Sequence, residues 1–331
     1  MKKETLVQII IILILTTILG GLIYMTVTEM NNTNARMFGI NPIEEEVEKD
    51  TKKEDVDSGN KVEANTIDLS EHTTNINIST GGEYNITGEF KNSIIVDSTD
   101  KVILNLNNVT IDSQITAAIA NKNDGELVIN LVENSTNILK DNGSSEYDGC
   151  IYSEGNLTIE GSGTLKVYGR QEEGEGIATE TNDITINDGE IDIVTTQNDA
   201  IDSNGTLTIN GGTVYVTGGS GAETAFDSDM YPFSVNGGTI VGLGGGNISY
   251  PNQNSKSNVV VWFSETEKGQ TITVKDSSGK KIISYKAEGN GESVIFSSEN
   301  LIKGEIYTVS NGDTEEKFTI ESNITTIGTK Q

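Results

Sequence analysis

Four stretches of the chain repeat one another: NLTIEGSGTLKVYG (156–169), DITINDGEIDIVTT (183–196), TLTINGGTVYVTGG (206–219) and PFSVNGGTIVGLGG (232–245). Each contains a short strand that alternates apolar and polar residues, a turn with glycine, and a second strand of the same kind. A third short piece lies between the copies, with apolar centres at Ile151, Ile177, Ile201 and Phe226. The centres recur about every 25 residues, and no helical periodicity lies between them.

Three short strands per repeat, without a helix, are typical of the coils of a parallel β-helix. We therefore predict an all-β protein whose main domain is a right-handed parallel β-helix over residues 66–254. Equivalent residues of successive coils should stack about 4.8 Å apart. The predicted columns are Leu157, Ile184, Leu207 and Phe233; Leu165, Ile191, Val214 and Ile240; and an amide ladder of Asn187, Asn210 and Asn236.

The sequence after residue 254 no longer repeats. VVVWFS (259–264) and the stretch QTITVKDSSGKKIISYK (270–286) have the pattern of antiparallel strands, with DSSGKK as a hairpin turn. A β-helix has open ends that need protection against edge-to-edge association. We predict that residues 255–331 form a small antiparallel β cap.

The first 65 residues have a different composition. Residues 6–27 carry no charge and, at a rise of about 1.5 Å per residue, are long enough to span a bilayer. Lys2 and Lys3 in the short tip 1–5 favour a cytoplasmic N-terminus. We predict a transmembrane signal anchor, with a cleaved signal peptide as the alternative. Residues 28–65 should form an acidic flexible stalk, or alternatively an interaction tail. The C-terminal domain would then be extracellular on a single-pass protein of the cell membrane.

The charge of the chain excludes several classes of function. With 22 basic and 50 acidic residues, the net charge is −28, and such a chain repels nucleic acid. Cys150 is the only cysteine and His72 the only histidine. A disulfide framework is therefore excluded, and a Cys/His zinc site nearly so. Hard cations that prefer oxygen ligands remain compatible with the composition.

Acidic residues concentrate in the third piece of each coil. Stacked carboxylates less than about 5 Å apart repel one another unless a cation neutralises them. Ca²⁺ takes roughly six to eight oxygen ligands and suits such a column. The predicted calcium ligands are Glu175, Glu180, Asp199, Asp202, Asp227 and Asp229. Alternatively, these acids only add to a charged surface.

Sugar binding needs aromatic faces and groups that form hydrogen bonds. Tyr168 and Tyr215 have outward parity in the second strands of their coils, and Tyr152 lies near an acidic piece. Lys166 and Arg170 are close in sequence to Tyr168 and are candidates to attract a uronate carboxylate. These five residues are the predicted carbohydrate-binding set, with plain surface packing as the alternative.

A series of motifs resembles a known family. The motifs are GEYNITGEF with SIIVDSTDKVILNLNNVTI (82–111), AAIANKNDGELVINLVENSTNIL (117–139), CIYSEGNLTIEGSGTLKV (150–167) and DAIDSNGTLTINGGTVYVTGG (199–219). They are similar to those of the clostridial carbohydrate-binding-domain proteins. The resemblance implies a polysaccharide-lyase-like parallel β-helix that binds cellulose and acidic sugars and carries calcium.

Three functions are compatible with these observations. The first is a non-catalytic, membrane-anchored extracellular protein that binds cellulose or acidic polysaccharides such as polygalacturonate, with structural calcium. The second is a calcium-dependent polysaccharide lyase with Lys166 or Arg170 as the base, since β-elimination needs a base beside the metal. The third is a cell-envelope spacer without a ligand. The scarcity of basic residues in the repeats favours the first.

Overall fold

The computed structural model of the protein describes residues 65–144, 146–171, 174–228, 231–312 and 314–330. The predicted anchor lies outside these residues, as does the predicted stalk except for Asn65. None of the helical segments in these ranges is long and apolar enough to cross a membrane. The described residues all belong to one compact unit, Val62–Gln331.

The first part of this unit is built from short strands that pair in parallel from one coil to the next. Those of the early coils are β1 (Asn65–Asp68), β2 (Ile76–Ile78), β3 (Gly82–Phe90), β4 (Ile94–Val96), β5 (Val102–Ser113), β6 (Ile119–Asn121), β7 (Leu127–Leu131) and β8 (Thr136–Asp141). Those of the later coils are β9 (Gly149–Ser153), β10 (Leu157–Gly161), β11 (Thr164–Tyr168), β12 (Glu175–Thr179), β13 (Ile184–Ile186), β14 (Glu190–Val194), β15 (Ile201–Ser203), β16 (Leu207–Ile209), β17 (Thr213–Thr217), β18 (Phe226–Ser228), β19 (Ser234–Val235) and β20 (Thr239–Gly244).

These strands form three walls around a continuous apolar core. One wall is a seven-stranded sheet with the order β18-β15-β12-β9-β6-β4-β2. The second wall runs through β19, β16, β13, β10 and β7, and the third through β8, β11, β14, β17 and β20. Strand β5 pairs with both β7 and β8, so the second and third walls belong to one sheet.

The register confirms the predicted stacking. Leu157 pairs with Ile184, which pairs with Leu207. The second predicted column, Leu165, Ile191, Val214 and Ile240, is also in direct register. All of these side chains are buried in the core. The predicted all-β parallel β-helix is therefore confirmed, and its right-handed sense stays a prediction.

The predicted asparagine ladder is also present. The Nδ2 of Asn210 donates to Oδ1 of Asn187 at 2.9 Å, and the Nδ2 of Asn236 donates to Oδ1 of Asn210 at 3.0 Å. An equivalent ladder that the sequence analysis missed joins Asn85, Asn105 and Asn130 in the earlier coils, with donor–acceptor distances of 2.9 and 2.8 Å. An amide both donates and accepts, so a column of identical asparagines satisfies itself.

The C-terminal part is mainly antiparallel, as predicted. Its strands are β21 (Val259–Thr266), β22 (Thr271–Asp276), β23 (Lys281–Lys286), β24 (Gly291–Ser297), β25 (Ile306–Ser310), β26 (Glu315–Thr319) and β27 (Ile324–Gly328). Strand β24 pairs antiparallel with β20 and β21, whereas β27 joins β21 in parallel. A separate sheet has the order β23-β22-β25-β26. Trp262 is fully buried in the core between these sheets, and its Nε1 donates to Glu316 at 3.1 Å.

Close stacking of the coils predicts a large effect of one glycine substitution. Gly212 has a φ of 81°, and a Cβ there would lie 2.6 Å from the carbonyl oxygen of Gly189 in the preceding coil. Gly279, in the β22–β23 turn, has a similar φ of 88° but open space around a Cβ. Gly279→Ala should therefore cost only the left-handed strain of about 1 kcal/mol. Gly212→Ala should cost roughly 3 kcal/mol or more, because the coils must also move apart. Equal losses in denaturant unfolding would contradict this close coil contact.

Candidate functional site

On the outer side of the seven-stranded sheet, one column of stacked residues changes from apolar to acidic along its length. In each strand an inward residue, such as Ile177 or Ile201, belongs to the core, and the next residue points to the other side. Direct register partners along this outer column are Ile95, Ala120, Tyr152, Ala178, Asp202 and Asp227. We call this column, together with Glu175 and Asp199 beside it, the acidic face.

One half of the acidic face is apolar. Ile95, Ala120, Tyr152 and Ala178 form a small buried cluster, against which Tyr147 packs. The rings of Tyr147 and Tyr152 are 5.0 Å apart between centroids and tilted by 33°. Burial, followed by nearby carboxylates, raises the pKa of Tyr152. This half is therefore apolar and tightly packed, and among its residues only Tyr147 is partly exposed.

Glu175 is the most unusual residue of the other half. Glu175 is only 8% exposed. One carboxylate oxygen accepts a hydrogen bond from Nδ2 of Asn198 at 2.7 Å, whereas Oε2 is buried without a hydrogen-bond partner. Burial, and then the nearby charges of Asp148, Asp202 and Asp199, raises the pKa of Glu175 to about 8. A buried oxygen without a partner is costly unless a proton or a cation neutralises it.

Asp199 repeats this situation one coil later. It is 9% exposed, and its Oδ1 accepts the backbone N–H of Thr224. Burial, with smaller contributions from the charges of Asp227, Glu223 and Asp202, raises its pKa to about 7. Asp227 accepts a hydrogen bond from its neighbour's backbone N–H at 2.8 Å and another from the hydroxyl of Ser249. The neighbouring carboxylates are therefore close enough to contribute to the raised pKa of Glu175 and Asp199.

The predicted metal ligands fall into three groups. Glu175, Asp199, Asp202 and Asp227 come together on the acidic face: Asp202 and Asp227 are register partners, and the charge of Asp202 raises the pKa of both Glu175 and Asp199. Glu180 is exposed, and the hydroxyl of Tyr152 donates to it at 3.4 Å. Asp229 lies outside the described residues. Within the ranges that the structure describes, no three His, Cys, Asp or Glu side chains form a ready-made metal-binding group.

The predicted sugar-binding residues do not share one surface. Tyr152 lies on the acidic face, but Lys166 and Tyr215 lie on the third wall, in register with Asp192 between them. The ring of Tyr215 packs against Tyr285 of the C-terminal part, with centroids 5.1 Å apart. The ring of Tyr168 is also partly covered, because Nζ of Lys140 lies 5.5 Å from its centroid. The tyrosines of this wall therefore have only part of their ring faces open.

Arg170 has a structural environment instead of the exposed position that the sequence suggested. It is 8% exposed, and its Nη1 donates to Asp141 at 3.1 Å and to the carbonyl oxygens of Ser144 and Tyr147 at 3.3 Å each. These bonds fasten the chain around Tyr147 to the next coil. The sequence could not reveal this role, because the partner carboxylate lies one coil earlier. Arg170 is thus a buried anchor between coils, and its predicted contact with a uronate stays a prediction.

Four further residues of the acidic face lie outside the predicted ligand and sugar-binding sets. Asp148 and Glu223 raise the pKa of Glu175 and Asp199, respectively. Asn198 binds Glu175 directly, and Tyr147 stacks on Tyr152. All four precede a strand of the seven-stranded sheet. The signal that could have found them is this common position in the turn before the strand.

The carbohydrate-binding domain-containing protein family matches residues 72–249, just over half of the chain. The chain belongs to this family. The resemblance inferred from the motifs is thereby confirmed, and polysaccharide binding is the function that this carbohydrate-binding family supports.

Two solved structures are similar to parts of the chain. A polysaccharide lyase-like protein from C. thermocellum, solved as a gadolinium derivative, is 29% identical with a TM-score of 0.44, over 50% of this chain and 71% of that one. The chitinase ChiW from Paenibacillus sp. str. FPU-7, described as a cell-surface-expressed multi-modular enzyme, is 15% identical with a TM-score of 0.19. That match covers 78% of this chain but only 24% of the chitinase. No protein of curated function matches the chain.

The raised pKa values of Glu175 and Asp199 predict a stability that falls as pH rises when cations are chelated. Both carboxyls hold a proton in the folded state at pH values where the unfolded chain, with ordinary pKa values near 4, has released it. The loss should occur between about pH 4 and the folded values of about 8 and 7, with a slope of about 1.4 kcal/mol per pH unit for each group. Above these values the contribution is constant.

The test is urea unfolding in chelator between pH 5 and 9. The double variant Glu175→Gln, Asp199→Asn should lose this part of the slope, and the exposed Glu180→Gln should keep it. The same slope in the double variant and the parent would show that Glu175 and Asp199 do not cause this pH dependence.

Proposed function

We propose that this protein is a membrane-anchored, extracellular polysaccharide-binding protein that uses calcium on the acidic face. Polysaccharide binding follows from the family, and the observation that supports its location and its metal is the Glu175 carboxylate. This group is more than nine-tenths buried and has an oxygen without a hydrogen-bond partner. The anchor at residues 6–27 would display the domain on the outside of the cell.

The carboxylates fit a hard cation. Glu175 and Asp199 lie on successive coils, and Asp202 raises the pKa of both. Calcium tolerates irregular sets of oxygen ligands, including backbone carbonyls and waters. Since no three acidic side chains already form a closed group in the described ranges, a bound ion would complete its shell with such oxygens. An open shell of this kind leaves positions for oxygens of a ligand.

The charge of the chain favours calcium as the bridge to acidic polysaccharides. A protein with a net charge of −28 repels polyuronates at low salt. A cation between the carboxylates of the protein and those of the glycan reverses this repulsion locally. Tyr147, which is partly exposed where it packs on the buried apolar half of the face, offers an adjoining sugar ring a contact surface. We therefore propose polygalacturonate-like chains as calcium-dependent ligands, and cellulose as a neutral ligand that needs no calcium.

The lyase alternative requires a base beside the metal. Lys166 lies on the third wall, in register with Asp192, whereas the acidic cluster lies on the seven-stranded sheet. Arg170 is buried and donates to Asp141 and two carbonyl oxygens. These placements favour binding without elimination. We expect polygalacturonate to be bound without formation of the unsaturated product.

Calcium should stabilise the protein and promote its binding to polygalacturonate. A cation that binds only the folded state adds RT ln(1 + [Ca²⁺]/Kd), about 2.7 kcal/mol at a hundredfold excess over Kd. We expect a higher Tm with calcium than with chelator, and retention on immobilised polygalacturonate only with calcium. Glu175→Gln combined with Asp199→Asn should remove both effects. Glu299→Gln, which removes one exposed carboxylate in the C-terminal part of the chain, is the matched control and should keep them.

The proposal fails if the Tm of the stripped protein does not respond to millimolar calcium and polygalacturonate is retained equally in chelator. A steady release of unsaturated uronate product, abolished by Lys166→Ala, would instead support the lyase. A protein that neither responds to calcium nor retains any glycan would be the ligand-free spacer.

A further inference from the structure

Two tyrosines at one end of the acidic face are unusually exposed. Tyr231 is 57% exposed and Tyr250 is 48% exposed. No other aromatic side chain in the described part of the chain reaches this degree of exposure. Single exposed apolar residues are normal on protein surfaces. Tyr231 and Tyr250, in contrast, lie on neighbouring segments.

Both tyrosines lie next to β18, the last strand of the seven-stranded sheet. The hydroxyl of Ser249 donates to the carboxylate of Asp227, and the backbone N–H of Asn252 donates to the carbonyl of Phe233 at 2.6 Å. The segment 249–252 therefore runs alongside the segment that contains Tyr231. Because Tyr250 lies between these two contacts, the two rings come from neighbouring segments.

The backbone around both rings is held in place. The hydroxyl of Ser228 donates to the carbonyl oxygen of Tyr231 at 2.7 Å. Each tyrosine is followed by a proline, Pro232 or Pro251, which restricts the tyrosine backbone to extended conformations. A tyrosine side chain has only two rotatable angles, so little entropy is lost when a ligand covers it. Exposed, pre-positioned aromatic rings of this kind are suited to binding.

We propose that Tyr231 and Tyr250 form an aromatic platform that binds pyranose rings of a neutral glucan. The proposal rests on the proposed function and extends the polysaccharide surface past the last coil. The C–H faces of a pyranose are apolar and match the electron-rich face of a tyrosine ring. Asp227, held beside Tyr250 through Ser249, is an acceptor for sugar hydroxyls. In the absence of calcium, its negative charge, together with that of Asp202 in the same column, disfavours a uronate at this position.

The rings of this platform are more accessible to a neutral sugar than the rings of the third-wall tyrosines. Tyr215 packs against Tyr285, and Lys140 lies over Tyr168. Tyr231 and Tyr250 have no such ring or cation contact among the described residues. Their faces are therefore available to a sugar without rearrangement of the protein.

The test measures binding of cellohexaose to the full chain by calorimetry in the presence of chelator. Each of Tyr231→Ala and Tyr250→Ala should weaken binding by about tenfold, and the double variant should abolish it, because aromatic contacts dominate such interfaces. The phenylalanine variants of the same positions should retain binding, which shows that the ring is what matters. Tyr168→Ala, a change of the same kind on the third wall, should leave the affinity unchanged.

The outcomes separate this inference from the proposed function. Cellohexaose binding that survives in the double alanine variant, or that is lost in Tyr168→Ala alone, overturns the platform. So does a parent protein that retains polygalacturonate with calcium but does not bind cellohexaose; in that case the calcium-dependent part of the proposed function stands and its cellulose part fails. A parent protein that binds neither glycan overturns both.

Discussion

The parallel hydrogen-bonded register between coils is the constraint on which the structure depends. It places each residue directly beside its equivalent in the next coil, so any residue type that recurs is brought into contact with itself. This contact stabilises apolar residues such as Leu165, Ile191 and Val214, because their column forms part of a continuous core. The close approach also explains why glycine occupies the turn at Gly212, where the preceding coil leaves no room for a Cβ.

Polar residues respond to the same constraint in two different ways. Asparagines stack favourably, since each amide donates to one neighbour and accepts from the other, as Asn210 does between Asn187 and Asn236. Carboxylates accept hydrogen bonds but cannot donate them when ionised, so Asp202 and Asp227 in direct register repel one another. The acidic face therefore stores an unfavourable energy that a proton or a cation relieves. This difference between an amide ladder and a carboxylate ladder links the fold to the proposed metal.

The repeats of the sequence were sufficient to predict the parallel β-helix, its columns and the asparagine ladder, because these depend only on period and register. The burial of Glu175 and Asp199 was harder to predict than their place beside the column. Ala200 and Ile201 both belong to the core, so the alternation of the strand is broken just before it, and Asp199 lies on the outer side. Contacts between coils of different sequence, such as Arg170 with Asp141, have no periodic signal at all. The exposure of Tyr231 and Tyr250 likewise depends on segments outside the repeat.

The most direct test of this account is a crystal structure of the protein grown with calcium and an oligogalacturonate. The account predicts metal density between the carboxylates of Glu175, Asp199 and Asp202, with the sugar chain along the acidic face from Tyr147 towards Asp227. A sugar bound on the third wall beside Lys166 and Tyr215, or an acidic face that contains only water at saturating calcium, would contradict it.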